Sequence, residues 1–435
     1  MEKKSKKSIT ASFAWKLLER FSFHGVKLLI QIILARILFP SDFGLLGIIM
    51  VFVEFATIFV QSGLNTALIQ NGEVDENDFS TVFWFSTLLA LVLYLVLFFA
   101  SPAIAFFYNN TAITVALRVL GIYLFGGAFN SIQIAYATKK FDFKSQFIGN
   151  FISITISGCL GIYLALNGAG IWALIIQQLV WQFLCCIIMF FFIRWRPRFV
   201  FDGKRLKPLL SFGWKMLLSS VLMRSKSLIS NLVIGKKYNE EELGHYTKAQ
   251  NFPVAFSDVV VNTFSSISLA DLSKTKDDLN ASNKKLLLYI EYSTLVVTPA
   301  LIGLFATSTP FIHILLSDKW LPCVPYLQMF CLIQLFQPIC AIFGQALSAF
   351  GRSDLYLKTY LITEPLGLAL VIGGSFVFSS PISIAWIMLV TQILETIILF
   401  LLVSKIYRIG LSVLARTWFA RATMGNSALC STKAK

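Results

Sequence analysis

Residues Ile171–Ile193 read IWALIIQQLVWQFLCCIIMFFFI, 23 positions without a charge. As a helix such a run is long enough to cross a hydrocarbon core of roughly 30 Å. Phe83–Ala100, Phe147–Leu166 and Ile382–Val403 repeat the theme. Barrel strands would instead alternate in segments of about ten residues. Across 435 residues the chain is 57% hydrophobic and 14% charged, with mean hydropathy +0.74. Soluble domains average about 25% charged residues. The expected class is therefore an all-α polytopic membrane protein.

Twelve spans follow, at 13–38, 43–68, 80–100, 112–137, 146–166, 171–193, 208–234, 245–270, 286–307, 324–350, 357–378 and 382–404. Turn signals such as Pro40-Ser41-Asp42, Asn167-Gly168 and Gly351-Arg352-Ser353-Asp354 separate them. The N-terminal Met1–Lys7 stretch is basic and no cleavage site follows it, so no cleavable signal peptide is expected.

Bases gather on alternate loops. One side holds Lys3–Lys7, Lys139, Lys140 and Lys144, the cluster Arg194–Lys207, Lys274–Lys285, Arg352 and Lys405. The other side has only Lys236, Lys237 and Lys319 in loops. The positive-inside rule places the N-terminus in the cytoplasm. The net charge of +15 is thus a matter of topology. The bases form no soluble patch, and no nucleic-acid partner is expected.

Two stretches about 200 residues apart echo each other. Trp15-Lys16, Lys27, Ala35-Arg36 and Phe43-Gly44 recur as Trp214-Lys215, Lys226, Gly235-Lys236 and Leu243-Gly244. The repeat predicts two six-helix lobes related by a parallel pseudo-twofold along the membrane normal. The organisation is then an N-terminus at 1–12, an N-lobe at 13–193, a cytoplasmic linker at 194–207, a C-lobe at 208–404 and a basic tail at 405–435.

The echo also puts charge inside the membrane. At about 100° per residue, Lys16 and Lys27 lie within about 20° of one another, with Arg20 about 40° from Lys16. Lys215 and Lys226 have the same spacing, while Arg224 lies about 160° from Lys226. Lys16, Arg20 and Lys215 are near enough to a span end to snorkel. Lys27 and Lys226 are near mid-span, where a lysine costs from about 2.5 kcal/mol upward and faces a wet cavity or a partner. Arg118 is a further candidate cavity base. Glu19, Glu54 and Asp258 are candidate charge partners or ion-coupling groups, and Glu291, Glu364 and Glu395 read as buried acids. The seven cysteines and three histidines show no metal spacing, so no metal and no cofactor is expected. There is no phosphate loop or nucleophile elbow, which argues against an enzyme.

The stretch Ala35-Arg36-Ile37-Leu38-Phe39-Pro40-Ser41-Asp42-Phe43-Gly44-Leu45, then Gln61-Ser62-Gly63-Leu64-Asn65-Thr66-Ala67-Leu68-Ile69-Gln70, resembles the polysaccharide transporter family. These are Wzx-type oligosaccharide flippases of the multidrug/oligosaccharidyl-lipid/polysaccharide exporter superfamily. Lys319-Trp320-Leu321-Pro322 fits the same resemblance, which covers about residues 10–405. It implies a central cavity between the two lobes, alternating access in a bacterial inner membrane, and an undecaprenyl-pyrophosphate-linked oligosaccharide as cargo, for O-antigen, capsule or exopolysaccharide synthesis. It also implies a polymerase and a chain-length regulator as pathway partners, besides membrane lipids. Lys16, Arg20, Lys27, Lys215, Lys226 and Arg118 are the positions that would meet the pyrophosphate. Many members have fourteen spans; here residues after Lys405 read as the start of a thirteenth span, cut short or replaced. A cation-coupled multidrug exporter and a membrane-embedded polysaccharide polymerase are the alternatives. The basic first and seventh spans disfavour the former, and the absence of a long external loop the latter.

Overall fold

The computed structural model describes residues 23, 25–61, 63–70, 74–140, 142–193, 195–275 and 278–407. Lys16, Glu19 and Arg20, the tail after Tyr407 and the start of the first predicted span lie outside them. The described residues are almost wholly helical and contain no strand. Helix α1 covers 25–37. It is followed by α2 (Pro40–Gln61), α3 (Leu64–Gln70), α4 (Glu76–Tyr108), α5 (Ala112–Gly121), α6 (Tyr123–Lys139), α7 (Phe143–Leu166) and α8 (Ile171–Phe192). Then come α9 (Gly203–Lys237), α10 (Glu240–Lys274), α11 (Leu279–Ala306) and α12 (Ser308–Leu316). A 3₁₀ turn, Asp318–Cys323, leads to α13 (Val324–Gln334), α14 (Gln337–Ala349), α15 (Ser353–Val377) and α16 (Ile382–Tyr407). Among the described residues eleven helical segments are long and apolar enough to span a membrane, and they coincide with the second to twelfth predicted spans. The protein is an all-α, multi-pass membrane protein.

Local chemistry sets the helix starts. Asp75 accepts from the Asn77 and Asp78 amides, and Asp78 returns a bond to the Asp75 amide, a full capping box for α4. Asp142, Asp202 and Asp278 cap α7, α9 and α11 more simply, their carboxylates accepting first-turn amides without the return bond. Prolines stand in the first turns of α13 and α14, where a missing amide hydrogen costs nothing. Outward faces carry large apolar side chains, such as Phe99, Phe106, Phe191 and Phe376. In water these would be a liability; in lipid they are the matching surface.

The described residues of Met1–Gly244 and of His245–Lys435 form two compact units. In the first, one end gathers the second, fourth and sixth loops. Arg205 pairs with Asp75 at 2.6 Å and Asp78 at 3.4 Å, Arg198 pairs with Glu76 at 2.8 Å, and Lys139 reaches the Val74 carbonyl at 3.4 Å. The linker is seated besides. Trp195 is buried with Phe79, Phe83 and Tyr136, while Trp84 stacks on Phe199 and donates to the Arg198 carbonyl. The opposite end joins the third and seventh loops. Tyr108 donates to the Leu232 carbonyl at 3.2 Å, Asn110 to Glu240 at 2.6 Å, and Lys236 to the Phe107 carbonyl. This alternation of ends is what up-and-down spans require.

In the second unit, the eighth and tenth loops and the end of α16 converge. Asp271 accepts from Lys285 at 2.7 Å and Tyr289 at 2.8 Å, Asn283 donates to the Tyr407 carbonyl at 2.6 Å, and Phe350 packs on Tyr407. Glu364 and Glu395 are buried, as their positions within apolar spans predict.

Candidate functional site

The site-forming helices of the first unit come together through small residues. Ser145, Gly149, Ser153, Ser157, Gly161 and Ala165 recur every fourth position of α7 and are all buried. Such a stripe lets helix backbones approach closely where no hydrophobic force pulls them together. A Cβ on Gly149 would strike Met189 of α8, and one on Gly161 would lie 3.0 Å from the Gln177 Cβ. Beside the stripe, a Cβ on Gly158 would overlap Ile30 of α1. The stripe therefore fixes α8 against α7, and Gly158 admits α1.

Helix α1 presents Phe23, Lys27 and Gln31 at four-residue spacing, one face of the helix. Helix α8 answers with Gln177, Gln178 and Trp181, and α7 adds Ile154. Together they line a small, open recess. The Lys27 ammonium lies 5.9 Å from the Phe23 ring centre, and Phe23 in turn packs on Trp181 at 5.8 Å.

Lys27 has a second neighbourhood. Glu54 of α2 interacts electrostatically with both Lys27 and Arg224 of α9. Three charges from three helices thus lie within electrostatic reach of one another in the span region, two positive and one negative. Carrying unpaired charge at this depth is expensive, and a half-buried carboxylate between two bases lowers that cost. The triad retains one net positive charge.

The predicted site residues distribute as follows. Lys27 and Glu54 are brought together. The α9 base that acts on Glu54 is Arg224, which the helical-wheel reading set on another side from Lys226. Lys226 is half-buried two residues further on, where its carbonyl accepts from the Ser230 hydroxyl at 2.7 Å. Lys215 is exposed near the start of the same span. Arg118 ties α5 to α4: its Nε donates to the Ser101 hydroxyl at 3.0 Å and to the Phe98 carbonyl at 3.3 Å, and its guanidinium lies 4.2 Å from the Phe98 ring centre. Asp258 belongs to the second unit, where its carbonyl accepts from Asn262. No group of three or more metal-ligating side chains occurs among the described residues. The glutamines and Trp181 of α8 carry no charge and sit inside an apolar run, so charge-based reading of the sequence passed over them.

A family model described as polysaccharide biosynthesis protein matches residues 33–325. The teichuronic acid biosynthesis protein TuaB of Bacillus subtilis (strain 168) is 29% identical over 82% of this chain and 74% of its own length. The succinoglycan biosynthesis transport protein ExoT of Rhizobium meliloti (strain 1021) is 23% identical over 89% of this chain and 78% of its own. Among solved structures, the lipid II flippase MurJ in an inward closed conformation superposes with a TM-score of 0.73 at 14% identity, covering 94% of this chain and 90% of that one. MurJ shows the fold, and the family model with the curated relatives gives the membership. The chain belongs to the polysaccharide biosynthesis protein family, the polysaccharide transporters of the multidrug/oligosaccharidyl-lipid/polysaccharide exporter superfamily.

Proposed function

We propose that this protein flips an undecaprenyl-pyrophosphate-linked oligosaccharide from the inner to the outer leaflet of a bacterial cytoplasmic membrane, with its N-terminus inside. The observation that carries the reading is the triad of Lys27, Glu54 and Arg224 at span depth with its net positive charge. A pyrophosphate crossing the membrane needs cations in a low-dielectric path. Glu54 offsets part of the charge of the two bases when the site is empty. The cargo's phosphates then compete with Glu54 for the same cations, so binding need not order new side chains. Lys226 and Lys215, and Lys16 and Arg20 beyond the described residues, extend the basic path along α9 and the first span. Rocking of lobes 13–193 and 208–404 would expose it to each leaflet in turn.

The names of the relatives support a lipid-linked saccharide as cargo: one is a succinoglycan transport protein, another a lipopolysaccharide biosynthesis protein of Escherichia coli, WzxC. The excess of base over acid in the triad disfavours a cationic drug. Deletion of the gene is expected to leave lipid-linked repeat units on the cytoplasmic side and to strip the surface polymer. Normal polymer in the deletion strain would contradict the reading.

A further inference from the structure

Between α8 and α9 the linker folds back along α4. The Arg198 amide donates to the Ser80 hydroxyl at 3.1 Å, and the Asp202 amide to the Thr81 hydroxyl at 3.3 Å. Trp84 fixes the segment between them, donating to the Arg198 carbonyl at 2.8 Å and stacking on Phe199 at 5.1 Å. Trp84 stands eight residues inside the start of α4, about 12 Å along it at 1.5 Å per residue. The apolar run Phe83–Ala100 begins one residue earlier. Phe199 is thus held level with the first apolar turn of a span.

At that level the linker carries three consecutive exposed apolar side chains. Phe199 is 93% exposed, Phe201 58% and Val200 39%. On a surface facing water such a run is a defect. At a bilayer interface, aromatic side chains are the ones that anchor. The apolar face continues along α4, where Leu88, one turn beyond Trp84, is also exposed.

Charge around this patch is one-sided. The carboxylates that touch the linker are taken: Glu76 pairs with Arg198, while Asp75, Asp78 and Asp202 all reach Arg205. Arg196, Lys204 and Lys207 flank the patch in sequence, are exposed, and form no ion pair among the described residues. Lys204 and Lys207 are three apart at the start of α9, and so share a face. The Arg196 guanidinium is braced on the Phe190 ring, 3.8 Å from its centre, and donates to the Ile193 and Trp195 carbonyls. Bases beside an apolar interface draw anionic headgroups to it. A zwitterionic headgroup brings its own cation towards the same bases and gains less.

We infer that the linker is an interfacial anchor that seats an anionic phospholipid, in the cytoplasmic leaflet on the proposed orientation. Phe199 and Phe201 enter the acyl-chain boundary, and Arg196, Lys204 and Lys207 draw the anionic headgroup. The occupant is a resident lipid of the bilayer, not the cargo. The anchor ties the segment between 13–193 and 208–404 to the membrane surface. It does not rest on the flipping reading, which stands whether or not the anchor does.

The test uses the purified full chain and two readouts. The first is depth, in nanodiscs of phosphatidylcholine and phosphatidylglycerol. A spin label is placed at Val200→Cys, which keeps both aromatic rings, with the exposed Cys159 and the tail Cys430 changed to Ser. It is expected to be reached by oxygen and shielded from a water-soluble nickel chelate. Should that variant fail to fold, the label at Phe201→Cys is read in its place. The second readout is headgroup choice, by native mass spectrometry with each of the two lipids. The wild type is expected to hold phosphatidylglycerol at least about fivefold more tightly than phosphatidylcholine. Lys204→Gln combined with Lys207→Gln is expected to weaken phosphatidylglycerol at least about fivefold and to leave phosphatidylcholine unchanged. Lys284→Gln, an exposed base of α11, is the control and should alter neither. A label open to nickel puts the patch in water, leaves it to a soluble acidic partner and overturns the anchor. Equal affinity for the two lipids, or a double variant that binds as the wild type does, overturns it as well.

Discussion

Gly44 and Gly244 meet backbone to backbone, each against the carbonyl four residues before the other. A Cβ on Gly44 would overlap the Glu240 carbonyl and lie 3.0 Å from the Gly244 amide nitrogen. One on Gly244 would overlap the Pro40 carbonyl and lie 3.2 Å from the Gly44 amide nitrogen. The pairs 40/44 and 240/244 are equivalent positions of the sequence repeat, and the contact is reciprocal, as a twofold demands. Neither carbonyl can move aside without breaking the first turn of its helix.

Gly44→Ala should accordingly cost far more than its chemistry implies. We expect surface polymer to fall at least tenfold with the protein still in the membrane. Gly25→Ala is the control: a Cβ at Gly25 meets nothing within 4 Å, and the change should be silent. Polymer assays on the two strains, with membrane levels measured alongside, check both.

Glu54 should couple energetically to both bases. Glu54→Gln removes the acid that acts on both Lys27 and Arg224, and should lower stability by roughly 1–3 kcal/mol. Adding Arg224→Gln should restore part of the loss, so that the double variant melts above the sum of the singles. Thermal unfolding of the four purified proteins in detergent reads the coupling.

On α7, Ser157→Leu should be poorly tolerated, because Ser157 is fully buried in the small-residue stripe that seats α8. Overpacking of this kind costs typically 1–3 kcal/mol. Ile156→Leu, one position along and half-exposed, should leave the melting temperature unchanged.

The linker should loosen in acid. The Arg205 guanidinium beside Asp75 holds its carboxyl below the usual carboxylate range. A depressed carboxylate stabilises the folded state above its unfolded value of about 3.9 and loses that contribution as pH falls through the lower folded value. Proteolysis within 195–203 should stay slow at neutral pH and rise only below about pH 4. Asp75→Asn should make it faster at neutral pH, converge with the wild type in acid, and so flatten the profile. The effect is modest, because the pair is about half exposed.

The spans and their alternation were legible in the sequence because hydropathy over about twenty residues is a strong, local signal. The repeat was legible too, through charged landmarks and the glycines that now prove to touch. Lys27 and Glu54 stood out because charge inside an apolar run is costly. Arg224 was misjudged for a physical reason: a helical wheel orders residues around one axis but does not say which neighbour each face meets. Lys226 was ranked above it on depth and on the echo, whereas the base acting on Glu54 is two residues earlier. Arg118 shows the converse. Depth suggested a cavity base, while the hydroxyl of Ser101 and the Phe98 carbonyl on α4 engage its side chain. The α8 amides carry no charge, and hydropathy averages them away.

The central claim is that the triad's cations carry a pyrophosphate across the membrane. The direct measurement is flipping in proteoliposomes, read as protection of fluorescent lipid-linked saccharide from a membrane-impermeant reagent. Wild type should move the lipid between leaflets. Lys27→Gln combined with Arg224→Gln should reduce the rate at least a hundredfold with the fold intact. Flipping by the double variant at the wild-type rate would contradict the account.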